Sequence, residues 1–377
     1  MGRASVAVFA LVTGYINSLG PLKKSRAGNA DAALTGIARS SFRRFGRFMI
    51  PAILATLISW LACQFGAYNI AHLADSAWIR DSSPRPSASF AGAFHDLFRS
   101  LIKTWVDGGN DYDKIQWTLT YLLKGSMLTY LTLVALIYVK PRWRMLILVG
   151  MFLFKWRSGD ALVGFNVYCG ILLAEVSIDP DVVDFASSHP YIQAVTSASL
   201  IILGFLFCSY PEEHAEWARW SRKMEDFGRK IFPEGAEYAR FYPGMGADAL
   251  ATGIMFNPTA KTILSHRFLC WMGRLSWPVY LIHAPLIRTV LTWVLFGASV
   301  RPPRGQDDQG NQLPPGWLPL AKPWVVMFAV PLFYVFLYRA ADLWLRYVDP
   351  WCGRVTQHFE DLVFRDDAKV EKPLLLS

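Results

Sequence analysis

One histidine, His283, lies deep inside a clear apolar run, at the end of the stretch WMGRLSWPVYLIH at 271–283. Tyr280 precedes it by three residues, so on a helix the two side chains occupy neighbouring positions of one face. Histidine can act as a general base near neutral pH, and an ionisable group inside a membrane faces a cavity or a partner. A neutral histidine hydrogen-bonded between helices would fit these residues equally well, so the pattern leaves both interpretations open.

Three arginines stand just before another apolar run, in SFRRFGRF at 41–48. Arg43 and Arg47 are four residues apart and would share a helical face with Arg44 beside them. Guanidinium groups offer paired donors that suit phosphate. The same residues would also serve as a positive anchor that meets lipid phosphates at the cytoplasmic surface, and the spacing alone favours this second interpretation.

Polar residues also stand near the starts of two apolar runs. Trp117 and Thr118 open one run, and Lys124 follows within its first two turns. A cation there must reach the interface or pair with another group, because an unpaired charge in hydrocarbon is expensive. Ser276 is predicted to cap the second helix, with Pro278 tolerated in its first turn.

The composition indicates that these residues belong to a membrane protein. Of 377 residues, 53% are hydrophobic and 18% charged, whereas soluble proteins carry about 25% charged residues. The net charge of +9 is concentrated in a predicted loop at 20–47, between two apolar segments. Such a basic loop is typical of the cytoplasmic side of a membrane, so we expect a lipid bilayer as partner and no nucleic acid.

The apolar runs predict an all-α, polytopic transmembrane helix bundle that forms a single domain over 1–377. A membrane span needs about 17–25 apolar residues, and about nine runs approach this length, some of them short. The predicted spans are 4–19, 48–70, 119–139, 144–155, 160–176, 191–209, 246–258, 276–297 and 319–338.

Two further segments are predicted outside the spans. In 211–232, the residues Trp217, Trp220, Met224, Phe227 and Ile231 recur at helical spacing with charged residues between them. This pattern predicts an amphipathic helix, either lying in the membrane interface or packed on its own protein. Residues 340–377 are predicted to form a cytoplasmic tail.

Motifs of soluble enzymes are missing from the sequence. It has no GxSxG, P-loop or HExxH motif and no GxGxxG in a strand context, which gives no support to a soluble hydrolase, kinase or dehydrogenase. The five cysteines include no CxxC pair, so we expect neither a disulfide framework nor a metal site.

Five motifs in order resemble the acyltransferase 3 family of membrane O-acyltransferases, in its fungal branch. SFRRFGRFMIP resembles the RRxxR motif, IQWTLTYLLKGSM the WTIPVEFRGS motif, and FLCWMGRLSWPVYLIHAPL the LGxxSFxxYLxH motif. VAVFALVTGYINSLGPLKKSR at 6–26 is similar to the FFVLSGY segment and its basic loop, and VYCGILLAEV at 167–176 to the FxxGxLLAD-type helix. The match covers nearly the whole chain.

The resemblance implies a bundle of about ten helices that transfers an acyl group, often acetyl, from cytoplasmic acyl-CoA to a hydroxyl. Acyl-CoA is then a co-substrate, and no resident cofactor or metal is implied. Arg43, Arg44 and Arg47 would hold the CoA phosphates. The residues implied to line or order the site are Thr13, Tyr15, Trp117, Thr118, Lys124, Ser276, Tyr280 and His283.

The sequence departs from the family pattern at three places. The family begins with another helix that carries its principal catalytic histidine, and this chain is expected to lack that helix. Leu122 replaces the glutamate of WTIPVE, and Thr13 replaces the serine of SGY while keeping a hydroxyl. His283 and Tyr280 are therefore expected as supporting catalytic residues.

The sequence leads to one main hypothesis and two alternatives. The main one is a multi-pass, integral-membrane O-acyltransferase acting on a small molecule, such as a fungal secondary metabolite, or on a glycan. A truncated or catalytically inactive relative is the first alternative. A transporter is the second, and the lack of an internal repeat in this sequence argues against it.

Overall fold

The structure is a computed structural model that describes residues 2–297, 299–300, 316–319 and 321–364. These residues are predominantly helical and include no strand; an isolated bridge joins Ala74 and Leu318. The predicted all-α class is therefore confirmed. The helices are α1 (Gly2–Arg26), α2 (Ala30–Gln64), α3 (Ala77–Ser82), α4 (Phe90–Val106), α5 (Trp117–Leu136), α6 (Pro141–Arg157), α7 (Gly164–Ser177), α8 (Pro180–Ser188), α9 (Pro190–Cys208), α10 (Arg219–Ile231), α11 (Tyr238–Met255), α12 (Pro258–Leu264), α13 (Arg267–Leu286), α14 (Thr292–Phe296), α15 (Pro323–Leu343) and α16 (Asp349–Val363).

The chain divides into two compact units, each made of two stretches of sequence. Unit 1 comprises Met1–Arg44 and Tyr121–Cys270, and unit 2 comprises Phe45–Thr120 and Trp271–Ser377. The predicted single domain over the whole chain stays a prediction.

Unit 1 is built on close helix packing. Helix α1 packs against α7 and α11, while α9 packs against α11 and α6 against α7. Glycines permit the closest approach: a Cβ placed on Gly170 of α7 would lie 2.1 Å from the carbonyl oxygen of Leu11 in α1. Small residues at helix contacts let backbones meet without side chains between them, which increases van der Waals contact.

Unit 2 contains a core of Trp60, Tyr68, Leu97 and Tyr112. Here α13 continues without a break through a π-helical turn at Ile287–Leu291 into α14. A second π-helical turn, at Trp344–Val348, joins α15 to α16. Such π-helical turns are rare and often occur at functional sites.

Six helical segments of the described chain are long and apolar enough to cross a membrane. They are Arg3–Arg26, Ala30–Gln64, Lys114–Leu136, Pro190–Cys208, Arg267–Phe296 and Pro323–Val363. They correspond to six of the nine predicted spans, and their length and composition are consistent with a membrane protein. The other three, 144–155, 160–176 and 246–258, overlap α6, α7 and α11, so the count of nine stays a prediction.

The predicted loop at 20–47 is wrong. Only residues 27–29 separate α1 from α2, and Gly28 makes the turn with φ +82°. The basic residues that suggested a loop stand on α1 and α2 instead. A helix accommodates such charges when their side chains reach solvent, so the charge density did not require irregular backbone.

The segment 211–232 contains a helix, but a shorter one than predicted. Trp217 belongs to a separate 3-10 turn, and extended backbone at Ala218 (φ −117°, ψ 140°) interrupts the chain before α10. Trp217 therefore does not share the helical face of Trp220. In the predicted tail, residues 340–363 are helical, and residues 365–377 lie outside the described residues.

Candidate functional site

The hydroxyl of Tyr280 is fixed by two hydrogen bonds inside unit 2. It donates to the carbonyl oxygen of Ile115 at 2.8 Å and also bonds the hydroxyl of Thr118. Since its single proton goes to the carbonyl, the Tyr280 oxygen accepts the proton of Thr118. Two residues predicted to line the site are thus directly joined.

His283 has a defined tautomer. Its Nδ1 lies 2.9 Å from the carbonyl oxygen of Tyr280 and 3.0 Å from that of Val279. Carbonyl oxygens only accept, so Nδ1 carries the proton, and Nε2 of the neutral ring carries the free lone pair. Within the described residues, no hydrogen bond engages Nε2. This half-buried histidine thus presents the nitrogen that a general base needs.

Stacked aromatic rings hold this face of α13 in place. Trp277 stacks on Tyr280 with ring centroids 5.9 Å apart and planes 15° apart, and Phe48 packs against Trp277 at 5.0 Å. The Tyr280 and His283 rings lie 6.2 Å apart. The predicted proximity of the two side chains on one face is confirmed by this distance.

A buried ion pair that the sequence analysis missed lies in the same unit. Arg288, in the π-helical turn after α13, places Nη2 at 3.1 Å from Oδ1 of Asp113. Both side chains are 1% exposed. The guanidinium also donates to the backbone carbonyls of Ala284, Ser82 and Tyr112.

A polar network around Asn110 shapes the loop that carries Asp113. The side-chain oxygen of Asn110 accepts from the backbone N–H groups of Tyr112 and Asp113, at 2.9 and 2.8 Å. Its amide donates to Thr104 and Gln116. This network is buried, and it orders the loop that leads directly into α5 and Thr118.

Asp113 also lies within electrostatic range of His283. A nearby carboxylate stabilises an imidazolium. Burial raises the pKa of the Asp113 carboxyl, while Arg288 beside it opposes that rise. The cluster therefore places a proton-accepting nitrogen near a buried carboxyl that Arg288 holds.

The structure does not gather all the predicted site residues into this cluster. In unit 1, Arg44 Nε donates to Ser126 Oγ at 3.0 Å, and the Tyr15 hydroxyl lies 3.5 Å from Ser177 Oγ. Lys124 is exposed, with Nζ 5.9 Å from the centre of the Tyr121 ring. Thr13 is buried and Arg43 exposed in unit 1, whereas Arg47 and Trp117 are exposed in unit 2.

The predicted capping role of Ser276 is wrong. Helix α13 begins at Arg267, so Ser276 lies in its third turn and donates to the carbonyl oxygen of Gly273 at 2.8 Å. Pro278 and Pro285 both lie inside the helix. The apolar residues that precede Ser276 support further helical turns, which is why the proline did not mark the start.

The chain shows a distant similarity to a known enzyme. No protein-family model matches the chain, and no solved structure matches it. It is similar to O-acetyltransferase PaAT-1 of Phomopsis amygdali, with 24% identity over 325 residues that make up 77% of this chain. The chain spans 63% of the length of that relative. This distant similarity supports acyltransferase activity, while membership of the acyltransferase 3 family stays a prediction.

Proposed function

We propose that the chain is a membrane O-acetyltransferase that moves an acetyl group from acetyl-CoA to a hydroxyl of an acceptor. The observation that carries the proposal is the tautomer of His283, whose Nδ1–H is bound to two backbone carbonyls while Nε2 remains able to accept a proton. The similarity to an O-acetyltransferase supports the same reaction.

In the proposed reaction, Nε2 of His283 takes the proton of the acceptor hydroxyl as its oxygen attacks the thioester carbonyl carbon. The tetrahedral intermediate collapses with cleavage of the carbon–sulfur bond. The proton then passes from the imidazolium to the departing sulfur, so that the products are the acetyl ester and CoA. Throughout, the Nδ1–H bonds keep the ring oriented.

Asp113 has an electrostatic role in this proposal. The imidazolium forms only while the acceptor proton is held, and the negative charge of Asp113 stabilises it during that interval. Arg288 in turn holds Asp113 through the 3.1 Å contact. Tyr280 supplies a backbone carbonyl to Nδ1, and its side chain fixes the helix face through Ile115 and Thr118.

The arginines of α2 are proposed to bind the phosphates of CoA. Arg43 and Arg47 are four residues apart on α2 and share a helical face, and both side chains are exposed. Guanidinium groups bind phosphate through paired hydrogen bonds, which a simple positive anchor does not require. The acceptor we propose is a small-molecule alcohol, such as a fungal secondary metabolite.

The test is acetyl transfer by the full chain, purified and placed in lipid nanodiscs, with isotope-labelled acetyl-CoA and a panel of small-molecule alcohols. His283→Gln should lower kcat by about 100-fold or more, since general-base catalysis contributes roughly that much, and should leave CoA binding intact. His358→Gln, at an exposed histidine of α16, is the matched control and should retain full activity.

Two outcomes would contradict the proposal. If the chain binds CoA but acetylates no alcohol in the panel, the alternative of an inactive relative gains support. If acetyl transfer occurs and His283→Gln leaves kcat unchanged, the chain is a transferase whose base lies elsewhere.

A further inference from the structure

Helix α10 of unit 1 carries a packing face made of small residues. Ser221 and Gly228 are buried, and the Ser221 hydroxyl donates to the carbonyl oxygens of Ala215 and Ala218. The Tyr242 hydroxyl of α11 bonds the backbone carbonyl oxygen of Met224. The helix is therefore held on its own protein along one side, as one of the two sequence interpretations expects.

A second stripe of α10 is apolar and uncovered. Trp220, Phe227 and Ile231 are 44%, 54% and 42% exposed. Their spacings of seven and four residues place them on one side of the helix. Lys223 and Lys230 are exposed and flank this stripe. Three large apolar side chains in a row form an exposed patch of the kind that marks a membrane or protein interaction site.

The position of α10 relative to its neighbours in unit 1 identifies this partner. Cys208, the last residue of α9, contacts the carbonyl oxygen of Pro243 in α11 at 3.8 Å. The adjacent Tyr242 holds Met224 of α10. Since α9 is a candidate membrane span that ends at Cys208, α10 lies at the level where that span ends, which is where the headgroups of a bilayer begin.

The charges of α10 suit the same environment. The helix carries five basic residues, Arg219, Arg222, Lys223, Arg229 and Lys230, against the two acids Glu225 and Asp226. Glu225 is paired with Arg229 at 2.9 Å. Lysines that flank an apolar stripe extend their ammonium groups toward lipid phosphates while their stems lie along the acyl boundary.

We propose that α10 is a membrane-surface anchor that lies in the headgroup layer of an anionic bilayer. Trp220, Phe227 and Ile231 enter the boundary between headgroups and acyl chains, and Lys223 and Lys230 contact lipid phosphates. Met224 and Gly228 hold the helix against Tyr242 of α11, so the anchor holds unit 1 at a set depth. This inference concerns a surface that the proposed reaction does not use.

The experiment compares two neighbouring positions of α10 in the full chain. Phe227→Cys and Asp226→Cys are made in a background with Cys208→Ser and Cys270→Ser, which removes the two cysteines that are not buried. Each variant is labelled with a small fluorophore and placed in nanodiscs of phosphatidylcholine with phosphatidylserine. Quenching is measured with lipids that carry a nitroxide high on the acyl chain and, separately, with aqueous iodide.

We expect the nitroxide lipid to quench the label at 227 several-fold more strongly than the label at 226, and iodide to show the reverse order. Asp226 is exposed and points away from the stripe, which makes it the matched control. Trp220→Cys provides a second stripe position and should behave like 227. Lys223→Ala with Lys230→Ala should reduce the quenching at 227 more in anionic than in zwitterionic nanodiscs.

Two results would overturn the proposal. If iodide quenches 220, 226 and 227 equally, the stripe faces water. If the labels at 220 and 227 are protected from both quenchers, protein covers the stripe, and a second copy of the chain becomes its partner.

Discussion

Arg288 and Asp113 form an ion pair with 3.1 Å between Nη2 and Oδ1, and each side chain is 1% exposed. The two residues are 175 positions apart in the chain. The pair joins the π-helical turn that follows α13 to the loop that precedes α5. The adjoining helices carry the candidate site, with Tyr280 and His283 on α13 and Thr118 on α5, so the pair ties together the segments that form it.

Removing one member of this pair should be strongly destabilising. Arg288→Met leaves the Asp113 carboxylate buried without its cation, which costs about 3–5 kcal/mol in comparable pairs. The measurement is the free energy of unfolding in mild detergent. Arg346→Met is the matched control, since Arg346 lies in the other π-helical turn but is largely exposed in its pair with Asp342, and it should change stability by less than about 1 kcal/mol.

Replacing both members should cost less than the sum of the single changes. Asp113→Leu with Arg288→Met removes both buried charges together, so neither is left without its partner. If the double variant is as unstable as the two single changes added, the residues are not energetically coupled and the pair does not order the site.

The sequence pattern identifies His283 and Tyr280 as the catalytic candidates of this cluster, but not the ion pair of Asp113 and Arg288 that orders it. His283 was found because a lone histidine in an apolar run is conspicuous. Asp113 stands beside Asp111 and Lys114, a polar context typical of a solvated loop, and no sequence pattern distinguishes Arg288. No local spacing relates Asp113 to Arg288, since their contact depends on the tertiary fold.

Tyr280→Phe should lower stability and loosen the site without changing its pH dependence. The change leaves the Ile115 carbonyl and the Thr118 hydroxyl without a partner, which costs about 1–3 kcal/mol. Since the hydroxyl does not reach Nε2, we expect kcat to fall while the pH profile of acetyl transfer keeps its shape. The control is Tyr334→Phe, at an exposed tyrosine of α15, which should leave stability and kcat unchanged.

A displaced or flattened pH profile in Tyr280→Phe would contradict this role. It would mean that the phenol itself exchanges a proton during the reaction.

Arg43→Ala with Arg47→Ala should weaken CoA binding by about 10-fold or more, since each hydrogen bond to a charged group contributes roughly 1.5–3 kcal/mol. Binding is measured with CoA and with dephospho-CoA, which lacks the 3′-phosphate. Arg157→Ala, at an exposed arginine that ends α6, is the control and should bind CoA normally. Unchanged affinity in the double variant would assign the α2 arginines to membrane anchoring instead.

The helical class and six of the spans follow from hydropathy, because long apolar runs admit few other structures. Hydropathy does not predict the residues at which α2 and α13 begin. In α2 the basic residues suggested a loop, and in α13 Pro278 suggested a helix start, yet the helix begins eleven residues earlier at Arg267. Local charge and proline patterns were overridden there by the packing of longer helices.

Gly170→Ala should destabilise unit 1 by about 1–3 kcal/mol through overpacking. Its Cβ would lie 2.1 Å from the Leu11 carbonyl oxygen, and backbone cannot move aside cheaply. Gly150→Ala is the matched control on α6, because nothing lies within 4 Å of its Cβ. That change should stabilise the helix by roughly 0.5–1 kcal/mol. Equal effects of the two changes on the unfolding free energy would contradict the close contact of α1 with α7.

Replacing Asp248 of α11 tests whether this buried carboxyl takes part in the reaction or only lowers the stability of unit 1. The residue is 9% exposed, and among the residues described its side-chain oxygens meet no donor stronger than the Cys169 thiol. A buried polar group without a partner costs about 1–3 kcal/mol, and an apolar group of similar shape avoids that cost. Asp248→Leu should therefore raise the unfolding free energy, while Asp248→Asn, which keeps a polar group there, should change it little. The thiol of Cys169 lies beside this carboxyl, and Cys169→Ala is the control for altered packing at the same place. Asp248→Leu could instead destabilise unit 1 or abolish acetyl transfer while Cys169→Ala does neither. In that case the carboxyl itself makes an interaction that folding or the reaction requires.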